Sequence, residues 1–219
     1  MIFQDKDRIV FAGDSITDME KTDPLGEGGG IGDNLGKGYV HFVHDLLAAT
    51  YPEKHLRITN SGISGNTSKQ LLERWGNDVL ELKPDWVSIC IGVNDCLNHF
   101  IYPERGEILV SLEEYESNLE VMVKSVKDTV KGIIIISPYI AEPNQNDPAR
   151  REMDRFREKA REVSEKHHCK YIDIQEMFDR YFEKRHQSMI AWDRVHPNTI
   201  GSYLIAKEFL LKCEFDFYN

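Results

Sequence analysis

Four short segments hold residues whose types and order could perform acyl transfer. They are Gly13-Asp14-Ser15-Ile16-Thr17-Asp18, Asn60-Ser61-Gly62-Ile63-Ser64-Gly65-Asn66, Gly92-Val93-Asn94-Asp95 and Trp192-Asp193-Arg194-Val195-His196-Pro197. A serine alone is a poor nucleophile and needs a base. His196 can take the proton from Ser15 and later return it to a leaving alcohol. Asp193, three positions earlier, can hold the other imidazole nitrogen and stabilise the imidazolium. The tetrahedral oxyanion needs donors, and the N–H groups of Ser15 and Gly62 with the side-chain amide of Asn94 are the natural ones. Asp14 is expected to stiffen the nucleophile turn by hydrogen bonding. Each segment also has a plain structural reading: Ser15 as a helix N-cap, Asn94-Asp95 as a turn, the glycines as turn glycines. The joint occurrence in one order argues for chemistry.

Elements that must position these segments are visible in the apolar pattern. Strands are expected at residues 8–12, 56–60, 86–91, 132–136 and 170–174, the third and fourth nearly continuous in apolar character, as suits strands covered on both faces. Helical spacing appears at 39–51, 67–82 and 112–130, then from Asp147-Pro148, across 175–184 and from Pro197-Asn198 onward. Alternating strands and helices give an α/β fold with five parallel strands in one domain, residues 1–219. In such sheets ligands bind beyond the carboxyl ends of the strands. Three of the four segments follow a strand, and the fourth precedes the last helix.

Composition narrows the partners. The 219 residues carry 27 Lys and Arg against 37 Asp and Glu, a formal net charge of −10. That field disfavours nucleic acid and anionic membrane as partners. No apolar run approaches the roughly 20 residues of a membrane span. Cys90, Cys96, Cys169 and Cys213 form no CxxC pair and no zinc-ligand spacing, so four reduced thiols and no metal are expected. The start, Met1-Ile2-Phe3-Gln4-Asp5-Lys6-Asp7, lacks signal-peptide character, and a cytoplasmic protein is expected. The glycine-rich residues 25–32 read as a flexible loop. They lack the Gly-Lys-Ser/Thr ending of a phosphate-binding loop and carry Glu27.

Together the four segments resemble the GDSL-type esterases, also called SGNH hydrolases. The Ser, Gly, Asn and His of that name match Ser15, Gly62, Asn94 and His196, and Asp193-x-x-His196 keeps the family spacing. Gly-Asp-Ser-Ile stands here for Gly-Asp-Ser-Leu. The resemblance implies a flavodoxin-like three-layer α/β/α fold, a mechanism without metal or cofactor, and an ester or thioester substrate. Gly36-Lys37-Gly38-Tyr39-Val40, the 60–67 segment, Arg74-Trp75, Lys83-Pro84-Asp85-Trp86-Val87-Ser88 and Ala191 through Pro197 look like the intracellular acetylxylan esterases of this family. That subgroup deacetylates xylo-oligosaccharides and forms homo-oligomers. Trp192, Trp75, Asn66 and Arg194 are candidate substrate contacts. For Trp75 a place in the core of its helix stripe is the competing reading, and for Arg194 a structural ion pair. Met189-Ile190-Ala191 could add apolar wall. A thioesterase or lysophospholipase would need an apolar groove that the sequence does not identify. A non-catalytic carbohydrate- or partner-binding module is the rival from another class.

Overall fold

The computed structural model describes residues 1–22, 26 and 27, and 34–218. The predicted glycine-rich loop therefore lies outside the described residues except at Gly26 and Glu27. Five parallel strands form the sheet: β1 (Arg8–Gly13), β3 (Arg57–Gly62), β4 (Trp86–Cys90), β5 (Gly132–Ile136) and β6 (Lys170–Ile172). A two-residue antiparallel strand, β2 (Gly26–Glu27), extends one edge, giving the order β2-β3-β1-β4-β5-β6. Among the five parallel strands this is the flavodoxin-like order, whose switch point lies between β1 and β4.

The helices are α1 (Ser15–Asp18), α2 (Tyr39–Thr50), α3 (Ser68–Trp75), α4 (Val93–Ile101), α5 (Leu112–Val126), α6 (Pro148–His167), α7 (Ile174–Phe182) and α8 (Thr199–Lys212). Helix α2 packs on α8, which also meets α7. Helices α3, α5, α6 and α4 form the other layer. The apolar stripe predicted for α5 is its buried face: Tyr115, Leu119, Met122, Val123 and Val126. Ile9 to Ala12, Val87, Ile89 and Ile134 to Ile136 fill the space between the layers. This is the expected three-layer α/β/α architecture.

Several boundaries differ from the sequence reading, three of them for a clear local reason. The helix expected over 67–82 breaks at Trp75, and a π turn covers Gly76–Leu80. Glycine is a weak helix former and marks the change. Thr67 caps α3 instead of joining it, in a reciprocal capping box with Gln70. The fifth parallel strand stops at Ile172 because the Asp173 side chain caps α7 through Glu176 N–H at 3.0 Å. Helix α4 was not anticipated: its polar opening, Asn94-Asp95, reads as a turn in sequence. All four cysteines are free. Among the described residues no helix is long and apolar enough to cross a membrane.

Candidate active site

Strand β1 ends at Gly13 and the chain turns at once into α1. Asp14 caps this short helix, its Oδ1 accepting from Ile16 N–H at 3.0 Å. The N-cap position considered for Ser15 is thus filled by its neighbour, which leaves the Ser15 hydroxyl free. Ser15 Oγ lies 2.8 Å from His196 Nε2, across 181 positions of sequence. His196 Nδ1 lies 2.6 Å from Asp193 Oδ2. A carboxylate only accepts, so Nδ1 carries the proton and Nε2 offers its lone pair to the serine.

Asp193 is fixed by its own turn. Its Oδ1 accepts from Val195 N–H at 3.0 Å and His196 N–H at 2.8 Å. Partial burial works to raise its pKa, but the His196 hydrogen bond and the two backbone N–H groups outweigh this and hold it below the ordinary carboxylate value. The carboxylate therefore stays charged beside the imidazole. The 193–196 turn is fastened to the segment after β5. Tyr139 Oη donates to Val195 C=O at 2.8 Å, and Ala141 N–H donates to Arg194 C=O at 2.7 Å. Arg194 reaches Glu142 and Asp147 at 3.0 and 3.1 Å. These ion pairs match the structural reading weighed for Arg194 and pin the turn.

The oxyanion donors need one correction. Gly62 N–H is already donated to Asn60 Oδ1 at 2.9 Å, and the residue is buried at the end of β3. A donor so engaged is not free for an oxyanion. What Gly62 provides is closeness: a Cβ there would lie 2.3 Å from Asp18 N. Gly65, three residues on, has the matching features. It is exposed, its φ is +82°, and no partner for its N–H exists among the described residues. Its neighbours hold it beside the nucleophile turn. Ser64 N–H and Oγ both donate to Asp18 Oδ2. Asn66 C=O accepts from Asn94 Nδ2 at 2.9 Å, which leaves the second hydrogen of that amide without a partner among the described residues. Ser15 N–H, at the first position of α1, is likewise unpartnered among them.

The other predicted contacts divide. Trp192 stands beside Asp193 with 88% of its surface exposed, and Met189 is also exposed, while Ile190 and Ala191 are buried. Trp75 is not at the site. It is 2% exposed between α3 and α5, with Nε1 donating to Ser125 Oγ at 2.8 Å. The apolar stripe of α3 draws it inward. Asn66 is half-buried, its Oδ1 accepting from Arg74 Nε at 2.7 Å. Asp14 is fully buried, and burial pushes its carboxyl up to about 7. Asp95 is also buried and pushed up to about 6, and it accepts from Ser68 N–H, joining α4 to the start of α3. Among the described residues no group of three His, Cys, Asp or Glu converges to hold a metal ion.

With this geometry in place, comparison with known proteins is decisive about family. The GDSL-like lipase/acylhydrolase family matches residues 11–204. The chain belongs to that family. This GDSL-like chain is 42% identical to the acetylxylan esterase of Geobacillus stearothermophilus over 210 residues, covering 96% of this chain and 95% of that one. The crystal structure of the same esterase superposes with a TM-score of 0.96 at 41% identity, covering 100% of this chain and 99% of that one. An α/β hydrolase enzyme from the metagenome of Lake Arreo, Spain, matches at 42% identity and TM-score 0.94, over 98% of each chain. Structures also exist of catalytic mutants of the Geobacillus esterase in which a serine, an aspartate or a histidine is replaced by alanine. Those are the three residue types this GDSL-like site aligns in a row.

Proposed function

We propose that the chain is a single-domain serine esterase that removes acetyl groups from carbohydrate, with acetylated xylo-oligosaccharides as substrate. The observation that carries this reading is the unbroken line from Ser15 Oγ through His196 to Asp193, with contacts of 2.8 and 2.6 Å. Near full-length similarity to an acetylxylan esterase supports the choice of substrate.

The reaction follows from the residues. His196 Nε2 takes the Ser15 hydroxyl proton as Oγ bonds to the acetyl carbon. The carbonyl oxygen becomes an oxyanion facing the N–H groups of Ser15 and Gly65 and the free amide hydrogen of Asn94. Asp193 stabilises the imidazolium. The tetrahedral species collapses, the bond to the sugar oxygen breaks, and that oxygen takes the proton from His196. Water then attacks the acetyl-serine with His196 again as base, releasing acetate and restoring Ser15.

His196 and Asp193 keep about half of their side-chain surface open, at 48% and 50%. That openness suits a leaving group larger than its acyl part. Trp192 at the rim offers a face on which a sugar ring can stack. Assembly into a homo-oligomer and a cytoplasmic location complete the reading. The test is acetate release from acetylated xylo-oligosaccharides, set beside acetyl, butyryl, octanoyl and dodecanoyl 4-nitrophenyl esters. Acetyl preference is expected. An optimum at octanoyl or longer would move the enzyme to a lipase or thioesterase role.

A further inference from the structure

Arg74 lies on α3, outside the catalytic row, with 15% of its side chain exposed. Its guanidinium nonetheless reaches the end of β1, the end of β3 and the Asn66 side chain in the loop that follows. Nη2 donates to Gly13 C=O at 3.0 Å, and Nη1 to Ser61 C=O at 2.8 Å. Nε donates to Asn66 Oδ1 at 2.7 Å. Asp78, one helical turn later, accepts from Nη1 at 2.9 Å and sets the plane of the fork.

Each contact has a consequence. The Gly13 carbonyl belongs to the peptide from which Asp14 and Ser15 emerge. It also accepts from Ile63 N–H at 3.0 Å, so both of its lone pairs are used. Ser61 C=O is the last carbonyl before Gly62. Asn66 follows Gly65 directly, and its own carbonyl holds Asn94 Nδ2. One planar cation therefore reaches the nucleophile turn, the glycine loop and, through Asn66, the asparagine amide. A lysine is a point donor and cannot span such a set; the rigid fork of arginine can.

We propose that Arg74 is a positioning residue that sets the three oxyanion donors, Ser15 N–H, Gly65 N–H and Asn94 Nδ2, relative to one another. This rests on the esterase reading above. A second clip works from the other side, where Lys21 donates to Gly62 C=O and pairs with Asp18 at 3.1 Å. Lys21 holds one carbonyl of the glycine loop, whereas Arg74 joins three segments.

The test uses Arg74→Lys and Asn66→Ala, with wild type and Ser15→Ala as references. Three quantities are read: kcat and KM on 4-nitrophenyl acetate, the rate of Ser15 phosphonylation by a fluorophosphonate, and the pH profile of kcat/KM. Misplaced donors should lower kcat of Arg74→Lys by about 100-fold, the scale of a misplacement of about 1 Å. KM should stay within about threefold, since little ground-state binding is removed. Phosphonylation should slow in parallel, and the pH profile should keep its inflection because the Ser15–His196–Asp193 row is untouched. Asn66→Ala, which removes only the Nε acceptor, should show the same pattern about tenfold weaker in kcat with little change in Tm. Folded variants with kcat within about twofold of wild type would overturn the proposal. A loss carried by a displaced pH inflection would overturn it too, since it would place the damage at His196. If wild type neither hydrolyses the ester nor takes the label, the esterase reading itself fails.

Discussion

Ser15 Oγ and His196 Nε2 stand at 2.8 Å, although the first follows β1 and the second precedes α8. The meeting depends on two separate anchors. Asp14 caps α1 and presents Ser15, while Asn198 caps α8 by accepting from Ile200 and Gly201 N–H and donates to Met189 C=O. Helix ends built this way leave little freedom to the residues beside them.

Gly62 and Gly65 should answer differently to alanine. At Gly62 the new Cβ would meet backbone, Asp18 N at 2.3 Å and Thr17 C at 2.8 Å, which cannot swing aside. Gly62→Ala should lose about 1–3 kcal/mol of stability, as overpacking does. At Gly65 nothing lies within 4 Å of a Cβ, and only the positive φ of 82° resists the change. Gly65→Ala should cost about 1–2 kcal/mol of stability while lowering kcat by about 10-fold or more as the N–H turns away. Thermal melts beside kcat measure both. Full kcat in Gly65→Ala would rule out Gly65 N–H as an oxyanion donor.

Asp14 should leave a pH signature in stability. One carboxyl oxygen accepts from Ile16 N–H and the other is buried without a partner. Burial pushes the pKa up to about 7; the Ile16 hydrogen bond opposes this and the Asp95 charge adds to it. The unfolded value is near 3.9, so the folded state keeps an extra proton between the two. Stability from this group is present below about pH 4 and lost as pH rises to about 7. Asp14→Asn keeps the acceptor and removes the titration. Its stability relative to wild type should climb through that window by up to about 4 kcal/mol and then level off. Urea melts from pH 4 to pH 8 measure the slope, and parallel curves for the two proteins would contradict it.

The two tryptophans weighed for sugar binding should part company. Trp75→Phe loses the Ser125 hydrogen bond inside the helical layer. It should cost about 1 kcal/mol of stability and leave kcat/KM on acetylated sugar near wild type. Trp192→Ala, at an exposed rim, should change stability by less than about 0.5 kcal/mol. It should raise KM for the oligosaccharide and spare 4-nitrophenyl acetate. Equal effects on both substrates would argue against sugar stacking at Trp192.

Sequence legibility followed physical cause. Strands β1, β4 and β5 were the most readable because each is a largely apolar run covered on both faces, as Ile133 to Ile136 and Val87 to Cys90 are. Ser15 and Asn94 were readable because residues with chemistry cluster where strands end, and Asp193 and His196 because they share one short segment before the last helix. The choice between Gly62 and Gly65 was not. Both sit in one loop, and only the partner already taken by the Gly62 N–H decides between them. Arg194 and Trp75 were ambiguous for a similar reason: an ion pair with Glu142 and a bond to Ser125 are long-range facts. Arg74 enters the sequence reading only as part of the Arg74-Trp75 likeness and without a role, because a cation that serves backbone carbonyls of distant segments looks like any surface arginine on a helix. Helix α4 was hidden by its polar first turn, where Asn94 and Asp95 serve the site and the α3 contact.

The central claim is that Ser15 is the nucleophile. The most direct measurement is kcat/KM for acetate release by Ser15→Ala, with circular dichroism matched to wild type. Loss of the nucleophile should lower it by about 10⁴-fold or more. A folded Ser15→Ala protein that keeps near-wild-type deacetylation would contradict the account.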